Sequence, residues 1–243
     1  MSSQGHEPKL ALKAGFAKLK ARGLLKKYSD LSLAPALTQA LEQMKYETPT
    51  EVQSKTIPLI MQGRDVLVTA QTGTGKTAAF GVPLMQKVLE FIEENPGAPF
   101  RRALVVAPTR ELAEQIGKVF RDLTAFSRAT RYCVIIGGSP YPKQLRELKQ
   151  DPVFVIGTPG RLIDHIESGV LNLDRFDHLI LDEADRMLDM GFAPQMDSIV
   201  KAMPKVRQTM MFSATLPPGV RTIVASYLNN PARVEIGEVN KPV

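Results

Sequence analysis

The sequence of 243 residues is 44% hydrophobic and 23% charged, which is enough apolar side chain for one large α/β domain or two small ones and too much for a disordered chain. No apolar run approaches the roughly 18 residues that cross a bilayer, and the N-terminus lacks the apolar stretch of a signal peptide, so a soluble cytoplasmic protein with no membrane partner is expected. The net charge of +6 is local: seven of the 31 Lys/Arg and one of the 25 Asp/Glu fall within residues 1–27, leaving 24 of each elsewhere. A neutral body neither requires nor excludes a nucleic-acid partner.

In chain order, the basic arm 1–27 comes first. Leu12, Phe16 and Leu19 recur at helical spacing among its lysines, so it reads either as a short amphipathic helix or as a solvated extension. Apolar, β-branched runs then recur at 65–70, 103–107, 133–136, 153–156, 178–181 and 209–212. They run continuously instead of alternating, which predicts strands buried on both faces. Amphipathic stretches at 76–93, 110–126, 160–167, 193–203 and 217–228 predict helices between them. This alternation predicts an α/β domain with a mostly parallel central sheet, helices on both faces and ligands beyond the carboxyl ends of the strands. The single Cys133 sits in an apolar run and reads as a buried structural thiol.

The first strand leads into Ala70-Gln71-Thr72-Gly73-Thr74-Gly75-Lys76-Thr77 and then a helix. Glycines bring successive backbone N–H groups close to phosphate oxygens, the helix start adds its positive dipole end, Lys76 adds a point charge, and the Thr77 hydroxyl can complete a magnesium shell. A nucleoside triphosphate is the expected ligand; the bland alternative is a Gly-rich turn before an ordinary helix. The fifth strand ends in Asp182-Glu183-Ala184-Asp185. Acids at the end of a buried strand are costly unless a cation sits there. Asp182 can hold the metal through its water shell, and Glu183 can orient or deprotonate the water attacking the γ-phosphate, which turns binding into hydrolysis. A solvated acidic turn is the alternative.

These residues resemble the motifs of the DEAD-box ATP-dependent RNA helicases of bacterial type, in their N-terminal RecA-like lobe. Asp182 to Asp185 resembles the naming motif and Ala70 to Thr77 the phosphate-loop motif. Ala107-Pro108-Thr109-Arg110-Glu111-Leu112, the pair Gly137-Gly138, Thr158-Pro159-Gly160-Arg161 and Ser213-Ala214-Thr215 resemble the intervening motifs in order. The stretch from Tyr46 through Glu47, Thr48 and Pro49 to Gln53 resembles the Q motif, with Tyr28 where an upstream aromatic, usually Phe, is expected. Lys45 stands where the family usually has Gly. The resemblance implies a P-loop NTPase lobe over 28–236, an interlobe linker starting at 237, and ATP with Mg2+ as ligands. It implies adenine contacts from Tyr28, Tyr46, Thr48 and Gln53. A side-chain amide such as that of Gln53 both donates and accepts, which suits the N6 and N7 edge of adenine.

Pro108, Thr109, Arg110, Gly137, Gly138, Thr158, Gly160 and Arg161 all follow predicted strands and so converge on one rim. Hydroxyls, backbone N–H groups and arginines hold phosphates without reading bases, and the loops carry no stacking aromatic, so sequence-independent RNA binding is expected. Thr109 and Thr158 could equally be helix caps, and Arg110 and Arg161 could pair with carboxylates of the domain. By resemblance Ser213 and Thr215 couple the nucleotide to Asp185; a helix N-cap is the local alternative for Thr215. No second-lobe motif is present, so the chain is expected to be the first lobe of a longer helicase, hydrolysing weakly by itself. A second reading is a nucleotide-dependent RNA-binding scaffold acting through the arm, and a third is a DNA helicase lobe.

Overall fold

A computed structural model of the protein describes residues 25–99 and 101–237. Residues 1–24 of the basic arm and 238–243 of the expected linker lie outside them. The core is one sheet of seven strands: β1 (Val66–Thr69), β2 (Arg102–Val106), β3 (Tyr132–Ile135), β4 (Phe154–Gly157), β5 (Phe176–Leu181), β6 (Gln208–Ser213) and β7 (Ala232–Glu235). Their order is β3-β4-β2-β5-β6-β1-β7, and every adjacent pair is parallel. The α/β expectation is met.

Side chains leave a strand alternately to its two faces, and here both faces are covered. Val66, Val68, Met210 and Phe212 point to one cluster, with Phe80, Phe120 and Ile57; Leu67, Met211, Leu104 and Leu181 point to the other, with Leu162, Met187 and Ile199. The first layer is built by α1 (Pro35–Gln43), α2 (Glu51–Met61), α3 (Lys76–Glu94) and α4 (Arg110–Leu123). The second is built by α6 (Pro159–Glu167), α7 (Ala184–Asp189), α8 (Ala193–Ala202) and α9 (Pro218–Tyr227), while α5 (Tyr141–Leu148) follows β3 at the sheet edge. Among the described residues no helix is long and apolar enough to cross a membrane.

The edge strands depart from the expected two-sided burial. In β3, Cys133 and Ile135 are buried while Tyr132 and Val134 are only half-covered, because an edge strand lacks a neighbour on one side. The buried Cys133 thiol is as expected. The helix expected over 110–126 stops at Leu123, where the Thr124 hydroxyl donates to the Phe120 carbonyl at 2.8 Å. Helices α1, α2, α5 and α7 were not expected: they are short, or, like α2 with Pro58 inside, carry a residue that argues against a helix.

Because all strands run the same way, every strand-to-helix loop opens at one end of the sheet. The ladder reaches into the loops: Ala70 N–H donates to the Ser213 carbonyl at 3.0 Å, Asp182 N–H to Val106 at 3.0 Å, Ala107 N–H to Gly157 at 2.9 Å and Thr158 N–H to Ile135 at 3.1 Å. The loops are thus pinned in mutual register at their bases.

Candidate nucleotide and nucleic-acid sites

The loop after β1 turns at Gly73 (φ +79°) and Gly75 (φ +94°), in the left-handed region that glycine adopts without steric cost. Gly75 is also a point of close approach: a Cβ there would lie 2.5 Å from Gln53 Nε2 and 3.1 Å from Thr50 Oγ1. Both side chains hold the loop, Thr50 Oγ1 donating to the Thr74 carbonyl at 2.8 Å and Gln53 Nε2 to the Gly75 carbonyl at 3.1 Å. Thr74 Oγ1 in turn donates to the Gln71 carbonyl at 2.9 Å. Gln71, Thr72 and Gly73 are exposed, Ala70 is buried, and Thr77 is half-buried in the first turn of α3. Lys76 Nζ donates to the Ala70 carbonyl at 3.2 Å, so its ammonium is turned back into the mouth of the loop.

Gln53 is buried, and its oxygen accepts from both the Tyr28 hydroxyl and the Thr50 N–H, each at 2.8 Å. Both lone pairs are used, and one N–H remains. The amide therefore needs to exchange an acceptor contact before it can pair with both groups of an adenine edge. Tyr28 is buried, its phenol pushed up in pKa by burial and then by Tyr46, and its ring lies 6.2 Å from that of Tyr46 at 23°. One side of Tyr46 thus faces Tyr28. Tyr46 and Thr48 border a cavity of about 640 Å³, with Tyr28, Leu41 and Glu42.

At the end of β5 the Asp182 carboxylate is 2% exposed, lies 4.0 Å from Lys76 Nζ and accepts the Glu183 N–H at 3.0 Å. Burial pushes its pKa up to about 6, against the opposing pull of Lys76. A buried carboxylate short of positive partners, next to a loop of backbone donors, fits a magnesium nucleotide. Glu183 adopts φ +52°, a strained conformation for a residue with a Cβ, and its carboxylate sits 3.3 Å from Arg186 Nη1.

Asp185 ties the acidic motif to the loop after β6. Its Oδ2 accepts from Ala214 N–H at 3.1 Å and from the N–H and hydroxyl of Thr215, each at 2.9 Å. Asp185 N–H donates to Ser213 Oγ at 3.3 Å, and Ser213 Oγ donates to the Thr215 carbonyl at 2.7 Å. Burial alone would raise the Asp185 pKa, but these donors outweigh it and the value is lowered. Thr215 does not cap α9, whose N-cap is Pro217.

The loops after β2, β3 and β4 meet around one open cavity of about 510 Å³, bordered by Thr109, Arg110, Gly137, Thr158, Gly160 and Arg161. Pro108 also borders it and is otherwise buried. Gly138 lies under the Arg110 guanidinium, which a Cβ at Gly138 would approach to 2.3 Å. Thr109 does cap its helix, its Oγ1 accepting from Leu112 N–H at 3.2 Å, whereas Thr158 occupies an N-cap position without a side-chain cap bond. Arg161 pairs with Asp164 at 3.2 Å and lies 5.7 Å from the Tyr141 ring, yet its Nη1 is buried without a hydrogen-bond partner among the described residues.

The structure adds residues to these sites beyond the expected ones. Thr50 was legible in principle, since it stands three residues before Gln53 in capping-box spacing. Arg186 was legible as well, at i+3 from Glu183, whereas Met190 and Phe192 carried no local signal. The last two add apolar surface to the rim, Met190 being 47% exposed.

A profile of the DEAD/DEAH box helicase matches residues 50–223. The chain belongs to this family. The "ATP-dependent RNA helicase DeaD" of Buchnera aphidicola (from Acyrthosiphon pisum) is 44% identical over 209 residues, covering 86% of this chain and 34% of that protein. The "DEAD-box ATP-dependent RNA helicase CshA" of Geobacillus kaustophilus is 44% identical over 209 residues and is covered to 43%. Among solved structures, a DEAD box protein from the hyperthermophile Methanococcus jannaschii superposes with a TM-score of 0.79 at 33% identity, covering 87% of this chain and 56% of that one. The chain therefore spans roughly a third to two fifths of the length of these curated relatives. The DEAD-box match begins at Thr50, so Tyr28, Tyr46 and Thr48 precede it.

Proposed function

We propose that this chain is the nucleotide-binding lobe, over residues 28–236, of a cytoplasmic ATP-dependent RNA helicase that couples ATP binding and hydrolysis to sequence-independent RNA binding and local unwinding. The observation that carries the reading is the placement of Lys76 and the buried Asp182 carboxylate 4.0 Å apart at the mouth of the Gly73 and Gly75 loop. In this reading Lys76 exchanges the Ala70 carbonyl for a phosphate oxygen, a charge-assisted bond stronger than the one it replaces. Thr77 and Asp182 hold Mg2+, which supplies neutralisation of phosphate charge. Glu183 leaves Arg186 to accept the proton of the attacking water. Gln53 and Tyr46 take the adenine, with Gln53 giving up an acceptor contact. Asp185, Ser213 and Thr215 transmit the state of the site to the rim, where Arg110, Arg161 and the backbone around Gly137, Gly138, Thr158 and Gly160 hold RNA phosphates.

The complete protein would contain a second RecA-like lobe that supplies the remaining cations, so this chain alone binds nucleotide and turns it over slowly. Titration of a fluorescent ATP analogue with Mg2+ tests the reading. Lys76→Ala should weaken binding at least tenfold, on the scale of one charge-assisted bond. Equal affinity of parent and variant would remove the assignment.

A further inference from the structure

Behind the rim lies a buried polar cluster that neither the nucleotide nor the phosphate contacts use. Gln144 on α5 is 1% exposed, and its Nε2 donates to the carbonyls of Ile136 at 2.9 Å and Ser139 at 3.1 Å, bracketing the Gly137-Gly138 turn. Both of its N–H groups are thereby used. Its oxygen must then be the atom facing His165 Nε2 at 3.2 Å, so His165 is the donor and carries its proton on Nε2. His165 is fully buried on α6, one turn beyond Arg161. Its ring stacks on Tyr141 at 4.5 Å and 10°, and the Arg161 guanidinium lies against the same tyrosine. Its Nδ1 has no hydrogen-bond partner among the described residues; burial, and then the Arg161 charge, hold the ring neutral against the weaker pull of Asp164.

One glutamine and one histidine thus join the turn after β3 to the helix after β4. A buried hydrogen-bonded pair specifies a single arrangement, since breaking it strands polar groups away from water. We propose that Gln144 and His165 are positioning residues that fix the Gly137-Gly138 turn and the N-terminus of α6 in one common arrangement, so that an RNA backbone meets both together. The loops are then ordered before RNA arrives, and less ordering entropy opposes binding. This rests on the RNA reading above.

Three variants test it. His165→Phe keeps the ring against Tyr141 and removes the donor; Gln144→Met removes the other half at similar length; His165→Gln returns an amide N–H near the Nε2 position. Hydrogen exchange followed by mass spectrometry should show faster exchange at 136–140 and 158–163 together in the first two, with 70–77 unchanged. Binding of a fluorescent single-stranded RNA of mixed sequence should weaken roughly tenfold, the scale of one lost buried hydrogen bond. His165→Gln should recover most of that loss, and affinity for the ATP analogue should stay unchanged throughout. Loosening of one segment alone, or parental RNA affinity in both disruptive variants, overturns the inference and leaves the RNA reading standing. Failure of the unaltered chain to bind RNA removes both.

Discussion

Asp182 is held in an environment that opposes its charge. Its pKa of about 6 in the fold stands above the ordinary 3.8, so the folded chain binds the proton more tightly than the unfolded one. The stability this provides is complete below about pH 4 and is lost as pH rises through about 6. At neutral pH an ionised Asp182 is therefore a liability that a bound cation would relieve. Asp182→Asn should raise the thermal midpoint at pH 7.5 by a few degrees, from roughly 1–2 kcal/mol once the lost attraction to Lys76 is allowed for. The difference should shrink towards pH 4, and magnesium-dependent nucleotide binding should fall in the variant. A gain that persists unchanged at low pH would locate the cause elsewhere. Glu183 is constrained differently: its carboxylate is paired with Arg186 and its backbone sits in the left-handed region. Glu183→Gln is expected to preserve nucleotide binding and abolish hydrolysis in the complete protein; unaltered turnover would take Glu183 out of its assigned role.

Among the elements, the end of α1 accounts for the unusual Lys45. Tyr46 N–H donates to the Leu41 carbonyl at 2.8 Å and Lys45 N–H to Glu42 at 3.0 Å, the pair of bonds that closes a helix with a left-handed residue, usually glycine, at the turn. Lys45 takes that conformation at φ +57°. The turn that presents Tyr46 is thus kept without glycine, at a conformational cost. Lys45→Gly should stabilise the chain by about 0.5–1 kcal/mol, the relief of strain exceeding the added freedom of the unfolded chain. An unmoved urea midpoint would refute this. The loop after β1 is the opposite case. Gly75→Ala would place a methyl against Gln53 at a backbone angle that favours glycine, and should lower stability by about 1–3 kcal/mol while detaching α2 from the loop. Urea unfolding together with the analogue titration measures both effects.

For the whole molecule, the parallel sheet places the loop after β1, the acidic motif and the rim loops at one end, so nucleotide and nucleic acid would share a rigid floor. The chain covers 34% of the length of a 44% identical relative. If, as proposed above, a second lobe supplies the remaining cations, RNA-stimulated hydrolysis by this chain alone should be at least about 10³-fold slower than by the complete protein. Steady-state phosphate release at saturating RNA decides the matter, and comparable rates would discard the two-lobe requirement.

The sequence by itself determined the α/β class, the strands that carry the motifs and the Gly75-Lys76-Thr77 start of α3, because continuous apolar runs and glycine punctuation are local properties of the chain. It also placed Asp182 and Glu183 directly after a buried strand. Local pattern could not say which partners those residues would find. Packing alone brought Gln53 under Gly75, set the Tyr28 hydroxyl on the Gln53 oxygen and joined Gln144 to His165 across 21 residues. It likewise carried Met190 and Phe192 to a rim whose own loops lack aromatic side chains. These contacts follow from parallel crossovers that set distant loops side by side, an outcome of packing over the whole sheet that no short window of sequence contains.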